Sequence, residues 1–197
     1  MNILGFETTD MIASVALLTN GAISEIVLNS TKKHAESVLP AAEDLLRVHG
    51  LDMSDIDVFA VDIGPGSFTG VRIGVCLANA LGFANSKPIV SINALEALAE
   101  SVNSNDKPVC ALIDARNGNG YGAVYQNGLC LISPCSCTIE DFLSIIPDGC
   151  IMTGSACADS AYPKASSVVR LALKKTGSSQ VSPLYLRPSQ AERMRHD

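Results

Sequence analysis

Between an apolar run over residues 56–63 and a run of helix formers over 71–84 stands Gly64-Pro65-Gly66-Ser67-Phe68-Thr69-Gly70. A glycine-rich corner that opens a helix can hold an anion, because free N–H groups and the helix dipole both face the ligand. Gly64, Gly66, Ser67 and Thr69 are therefore candidate phosphate contacts, and Ser67 and Thr69 are also the residue types that cap a helix. The corner is neither a P-loop nor a dinucleotide fingerprint. It lacks a Gly-Lys-Ser/Thr, and its Gly-x-Gly-x-x-x-Gly spacing is one residue too long. The competing reading is a tight strand-to-helix turn whose small residues serve packing. Two acidic turns, Glu7-Thr8-Thr9 and Asp114-Ala115-Arg116, each follow an apolar strand that opens one half of the chain. Facing one cleft, they could hold the metal–phosphate end of ATP or ADP with magnesium; the alternative is ordinary turn chemistry.

Other catalytic chemistry is not legible. His34, His49 and His196 are far apart, no His-x-x-x-His is present, and no serine or cysteine sits in a Gly-x-Ser-x-Gly elbow. A metalloprotease therefore has neither a metal pair nor an activated nucleophile to build on. Cys135 and Cys137 are too close together for half of a zinc site, so no metal is expected. The seven cysteines are odd in number and mostly in apolar settings, which suits buried thiols in a reducing compartment. A net charge of −6 argues against a broad nucleic-acid surface, which needs clustered Lys and Arg. No signal-peptide pattern opens the chain, and no apolar run reaches the length of a membrane span. The expectation is a cytoplasmic protein without membrane contact.

The elements that must position these residues follow from hydrophobic period and turn signals. Strands are expected at 2–6, 12–18 and 22–28, joined by a polar turn and by Asn20-Gly21, which makes an antiparallel meander. A helix follows over 32–49. Pro40 should kink or break it near Leu39, and Gly50 should end it. The strand over 56–63, the corner, a helix over 71–84, a strand over 89–92 and an Asn93-capped helix over 94–102 complete the first half. Right-handed crossovers then require parallel neighbours, so the sheet is mixed. The pattern restarts with strands at 108–113, 121–126 and 129–132, and a short helix from Thr138 to residue 146. A strand over 149–153, a helical piece opening at Gly154-Ser155, and a helix or strand over 168–175 follow. An extended stretch covers 183–188, and 193–197 should fray.

Gly70, Gly74, Ala78 and Gly82 fall four apart and share one face of the second helix. Interior glycines cost about 0.5–1 kcal/mol each relative to alanine, so close packing should compensate. Either the helix's own sheet or a partner helix can supply it, with Val71, Val75, Leu77 and Leu81 providing the other face.

Several blocks in order, spanning nearly the whole chain, carry a family resemblance. They are Ile3-Leu4-Gly5-Phe6-Glu7-Thr8-Thr9, His34-Ala35-Glu36-Ser37-Val38-Leu39-Pro40, the corner through Gly74, Ile113-Asp114-Ala115-Arg116 and Pro183-Leu184-Tyr185-Leu186-Arg187. In these the chain resembles the TsaB (YeaZ) family, whose members take part in making threonylcarbamoyladenosine at position 37 of tRNA. The resemblance implies an α/β chain of the actin-like ATPase fold with two related lobes, in keeping with the mixed sheets read above; this chain departs from the family in a second lobe that is reduced. The lobes are expected at 1–104, with the corner and interface helices, and at 105–197, with the extended tail. It also implies a non-catalytic role beside a TsaD-type enzyme, which carries the metal-binding histidines and transfers the threonylcarbamoyl group. A TsaE-type ATPase is expected to join, tRNA to be met through the complex, and a homodimer to form when the chain is alone. The implied partner interface is the first two helices, with His34, Val38, Leu45, Gly70, Gly74, Ala78 and Gly82 as candidate contacts. A nucleotide-binding ATPase or kinase of the same fold is the alternative. Glu7 departs from the family pattern, which usually has Asp there.

Overall fold

The computed structural model describes residues 1–28, 34–102, 104 and 106–187. Strands β1 (Ile3–Glu7), β2 (Ala13–Thr19) and β3 (Ala22–Leu28) form the expected meander, with Asn20 and Gly21 both at positive φ in its second turn. Helix α1 (His34–Val48), strand β4 (Val58–Asp62), helix α2 (Phe68–Asn85), strand β5 (Ile89–Ile92) and helix α3 (Ala94–Ser101) follow. β4 pairs with β1 and with β5, both in parallel, and the five strands run in the order β3-β2-β1-β4-β5. The second half gives β6 (Val109–Asp114), β7 (Asn119–Gln126), β8 (Leu129–Thr138), α4 (Ile139–Ile145), β9 (Ile151–Thr153) and α5 (Ala165–Ala172). Its sheet order, β8-β7-β6-β9, repeats β3-β2-β1-β4 in topology, without a counterpart of β5 among the described residues.

The chain is layered. On one face of the first sheet, α1 and α2 close a core around Phe6, Leu17, Phe59, Val61 and Val75. On its other face lies α5, with Val168 and Val169 packed on Ile3, Ala60 and Val90. Helix α3 shares that middle layer and turns Leu95 and Leu98 toward Ala111 and Ala123 of the second sheet. Phe142 of α4 covers the far face of the second sheet. Helix α5, the last among the described residues, thus returns to the first sheet, where the Arg170 guanidinium donates to Glu100 of α3 at 2.7 Å.

Three local expectations change. The first helix runs through Pro40 without a break, and Gly50, at φ +66, ends it with Leu51 N–H donating to the Leu46 carbonyl at 3.0 Å. Pro40 is exposed and sits in the second turn, where its ring meets solvent rather than core. β8 extends to Thr138, well beyond residue 132, because its partner β7 starts at Asn119 and offers a full ladder. Gly154-Ser155 opens a turn and not a helix: Gly154 has φ +122, and its carbonyl accepts from Cys157 and Ala161 N–H. Of the expected helix or strand over 168–175, residues 168–172 are helix, the end of α5, and 173–175 turn away from it. The expected helix start at Lys32, the end of the extended stretch at Pro188, the tail over 193–197, and His196 lie outside the described residues.

Candidate functional site

The corner is built by β4, which delivers Asp62, and by α2, which Ser67 caps by accepting from Gly70 N–H at 3.3 Å. Thr69 lies inside α2 and is exposed. Beside the corner lies the turn after β1. Its backbone occupies the space a phosphate would need. Ser67 N–H donates to the Thr9 carbonyl at 2.6 Å, and the Thr8 hydroxyl donates to the Gly70 carbonyl at 2.7 Å. A methyl group on Gly66 would fall on the Thr9 carbonyl oxygen, and one on Gly70 on the Thr8 carbonyl oxygen. These glycines admit another backbone, which is the close-approach use of glycine.

Glu7, Thr8 and Thr9 are all buried. The Glu7 carboxyl accepts from the Thr9 N–H at 2.6 Å and from the Thr9 hydroxyl at 2.8 Å. Burial pushes the Glu7 carboxyl up to about 8, against the lowering effect of those two donors. The structure therefore brings Glu7, Thr8, Thr9, Gly64, Gly66 and Ser67 together as one packed corner. Asp114 is not part of it. It ends β6 in the second sheet, exposed, where its carboxylate accepts from Arg116 N–H at 2.8 Å as an ordinary turn. The residue that sequence reasoning missed is Asp62. It is as buried as Glu7 and sits beside it, and its one signal was a carboxylate ending an apolar strand.

The small-residue stripe also points inward. Gly70, Gly74, Ala78 and Gly82 are buried; a Cβ on Gly74 would lie 2.5 Å from the Thr8 hydroxyl oxygen, and one on Gly82 2.6 Å from Ile89. Val38 and Leu45 are likewise in the core of the first sheet, and of the seven candidate contacts only His34 is partly exposed. The stripe therefore packs on its own sheet, because the β1–β2 turn and β5 approach α2 too closely for any larger side chain. The side of α2 left to solvent carries Thr69, Arg72, Cys76, Ala80, Phe83 and Ala84, with Phe83 87% exposed. A third side is covered by the chain's own tail. Asn79 exchanges two hydrogen bonds with the Val181 backbone, Leu184 N–H donates to the Ile63 carbonyl, and Tyr185 stacks on Phe68 at 4.9 Å beneath Arg72.

The repeated strand order, with helices on both faces of the first sheet, defines a two-sheet α/β protein of the actin-like ATPase fold. A family model described as TsaD: tRNA N6-adenosine threonylcarbamoyltransferase matches residues 21–177. Within it, the chain belongs to the TsaB (YeaZ) family. It is similar to the tRNA threonylcarbamoyladenosine biosynthesis protein TsaB of Escherichia coli, 35% identical over 64% of this chain and 55% of that protein. The protein of the same description from Bacillus subtilis is 36% identical over 66% of this chain and 58% of its own length. The matches thus take in little more than half of these relatives. A crystal structure described as an uncharacterized protein with similarity to peptidase YEAZ from Pseudomonas aeruginosa superposes with a TM-score of 0.82. It is 27% identical and covers 94% of this chain and 99% of that one.

The fold class implies a magnesium nucleotide at the corner, and the residues do not fit one. The β1–β2 backbone fills the cradle, and the Glu7 and Asp62 carboxyls are wholly buried. Among the described residues no group of three or more His, Cys, Asp or Glu is placed to hold a metal ion, and no helix is long and apolar enough to cross a membrane.

Proposed function

We propose that this chain is a non-catalytic partner subunit that joins a TsaD-type enzyme in forming threonylcarbamoyladenosine at position 37 of tRNA. The observation that carries the reading is the division of labour on α2. Its inner face closes the corner against the chain's own backbone, and its outer face offers a strip of Cys76, Ala80, Phe83 and Ala84 that begins at the exposed Arg72. Family membership supports the reaction, and the filled corner favours this reading over the alternative ATPase or kinase. The metalloprotease reading has no metal cluster among the described residues to support it.

The partner surface in this reading is the solvent side of α1 and α2, not the small-residue stripe. Phe83 is its anchor, since exposed aromatics at the centre of a patch are the usual carriers of binding energy. Glu43, Asp44 and Arg47 on the outside of α1 form a polar rim. The same strip lets the free chain pair with a second copy, and it orients the assembly for a TsaE-type ATPase and for tRNA. Mixing the purified chain with a TsaD-type enzyme tests the reading. A stoichiometric complex on size-exclusion chromatography is expected; separate elution at micromolar concentrations would overturn it.

A further inference from the structure

β1 and β4 run parallel with Phe6 opposite Val61, so the next residues, Glu7 and Asp62, end the two strands side by side. Both are 0% exposed. Glu7 spends Oε1 on the Thr9 N–H and hydroxyl. Asp62 Oδ1 accepts from the Gly64 N–H at 2.8 Å. Asp62 Oδ2 is buried and has no donor among the described residues. A buried carboxylate oxygen with nothing to accept from is costly, and two adjacent buried carboxylates cannot both stay ionised. Among the described residues no lysine or arginine pairs with either group. β2 sets Ser14 opposite Glu7, with the Ser14 hydroxyl already accepting from Ala165 N–H of α5 at 2.8 Å. β5 sets Ile92 opposite Asp62, and α2 packs Gly70 and Gly74 on Thr8. The titratable groups nearest the pair are Asp10, on the same turn and itself repelling both carboxyls, and beyond it His34 of α1, whose Nε2 lies 3.3 Å from the Asp10 carbonyl.

We propose that Glu7 and Asp62 share one proton, held between Asp62 Oδ2 and the Glu7 carboxyl, and that this proton latches the ends of β1 and β4 under the glycine corner. The latch satisfies the orphaned oxygen and removes one of two buried charges. It makes the corner pH-sensitive: losing the proton to solvent puts two like charges side by side in the core beneath α2.

The direction of the effect follows from linkage. Burial raises both carboxyls, Glu7 to about 8, above their ordinary carboxylate values. The folded chain therefore keeps a proton that the unfolded chain has released. Its stabilising effect is complete below the ordinary carboxylate range and is lost as pH rises toward 8.

Two substitutions reproduce the latch without a titrating proton. In Glu7→Gln the amide oxygen accepts from Thr9 and the amide nitrogen donates to Asp62 Oδ2. In Asp62→Asn the oxygen accepts from Gly64 N–H and the nitrogen donates to Glu7. The melting temperature of the unaltered chain is expected to fall by about 5 °C or more between pH 5.5 and pH 9. That of either amide variant should fall by less than half as much. Infrared difference spectra of the unaltered chain at pH 7 should contain the carbonyl stretch of a protonated, buried carboxylic acid, and this readout needs no variant. Absence of that band, or an undiminished pH slope in a folded amide variant, would overturn the proposal.

Discussion

A methyl group at Gly70 has nowhere to go, because the Thr8 carbonyl oxygen already stands there. Gly70→Ala should lower unfolding stability by about 2–3 kcal/mol, as overpacking against fixed backbone does. Gly74→Leu should leave little folded protein, since even the Cβ would lie 2.5 Å from the Thr8 hydroxyl oxygen. Urea denaturation followed by circular dichroism checks both, and a Gly74→Leu variant with unaltered stability would return the stripe to the partner surface. The same residues explain why the corner was only half legible. Glycine is required wherever another group must approach the main chain, and the sequence is identical whether that group is a phosphate or the chain's own carbonyl. Residue types placed Glu7, Thr9, Gly66 and Ser67 at one end of the sheet. Only the fold shows that the β1–β2 turn lies on the glycines and that Asp114 ends a different sheet.

At the scale of the element, α2 is apolar on nearly every side, and its periodicity does not say which side meets what. Valines at 71 and 75 and small residues at 70, 74, 78 and 82 all belong to the interior. The tail over 178–187 covers a third side through Asn79 and the Phe68–Tyr185 stack, contacts separated by about a hundred residues that no local pattern reveals. What remains outside is decided by subtraction. Because Ala80 and Phe83 are exposed, Ala80→Arg with Phe83→Glu should change stability by no more than about 0.5 kcal/mol per substitution. The pair should weaken association with a TsaD-type enzyme at least about tenfold, because a charge is then desolvated at the centre of the contact. Calorimetric titration of the two purified proteins reads the affinity, and wild-type affinity in the double variant would place the interface elsewhere.

For the whole molecule, much was legible because it is local. Most strands and helices that rest on period and turn chemistry lie within a few residues of their expected bounds, from the Asn20-Gly21 hairpin to the Asn93 cap, whose side chain accepts from Leu95 N–H at 2.9 Å; β8 and the turn at Gly154 are the exceptions. Two features needed the assembled chain. One is the return of α5 to the first sheet, which makes a single middle layer serve both sheets. The other is the strand order itself: the restart of the pattern is legible in the sequence as a repeat of topology, but the order β8-β7-β6-β9 comes only from the pairing of the strands. This architecture keeps the two-sheet frame of a nucleotide-binding fold while its corner is closed by backbone and buried carboxyls. A chain built this way is expected to be necessary for modification and inert alone. The direct measurement is the yield of threonylcarbamoyladenosine on tRNA in a reconstituted reaction, with the TsaD-type enzyme, this chain, or both. Modification should require both proteins. Full activity of the enzyme without this chain, or transfer by this chain without the enzyme, would contradict the account.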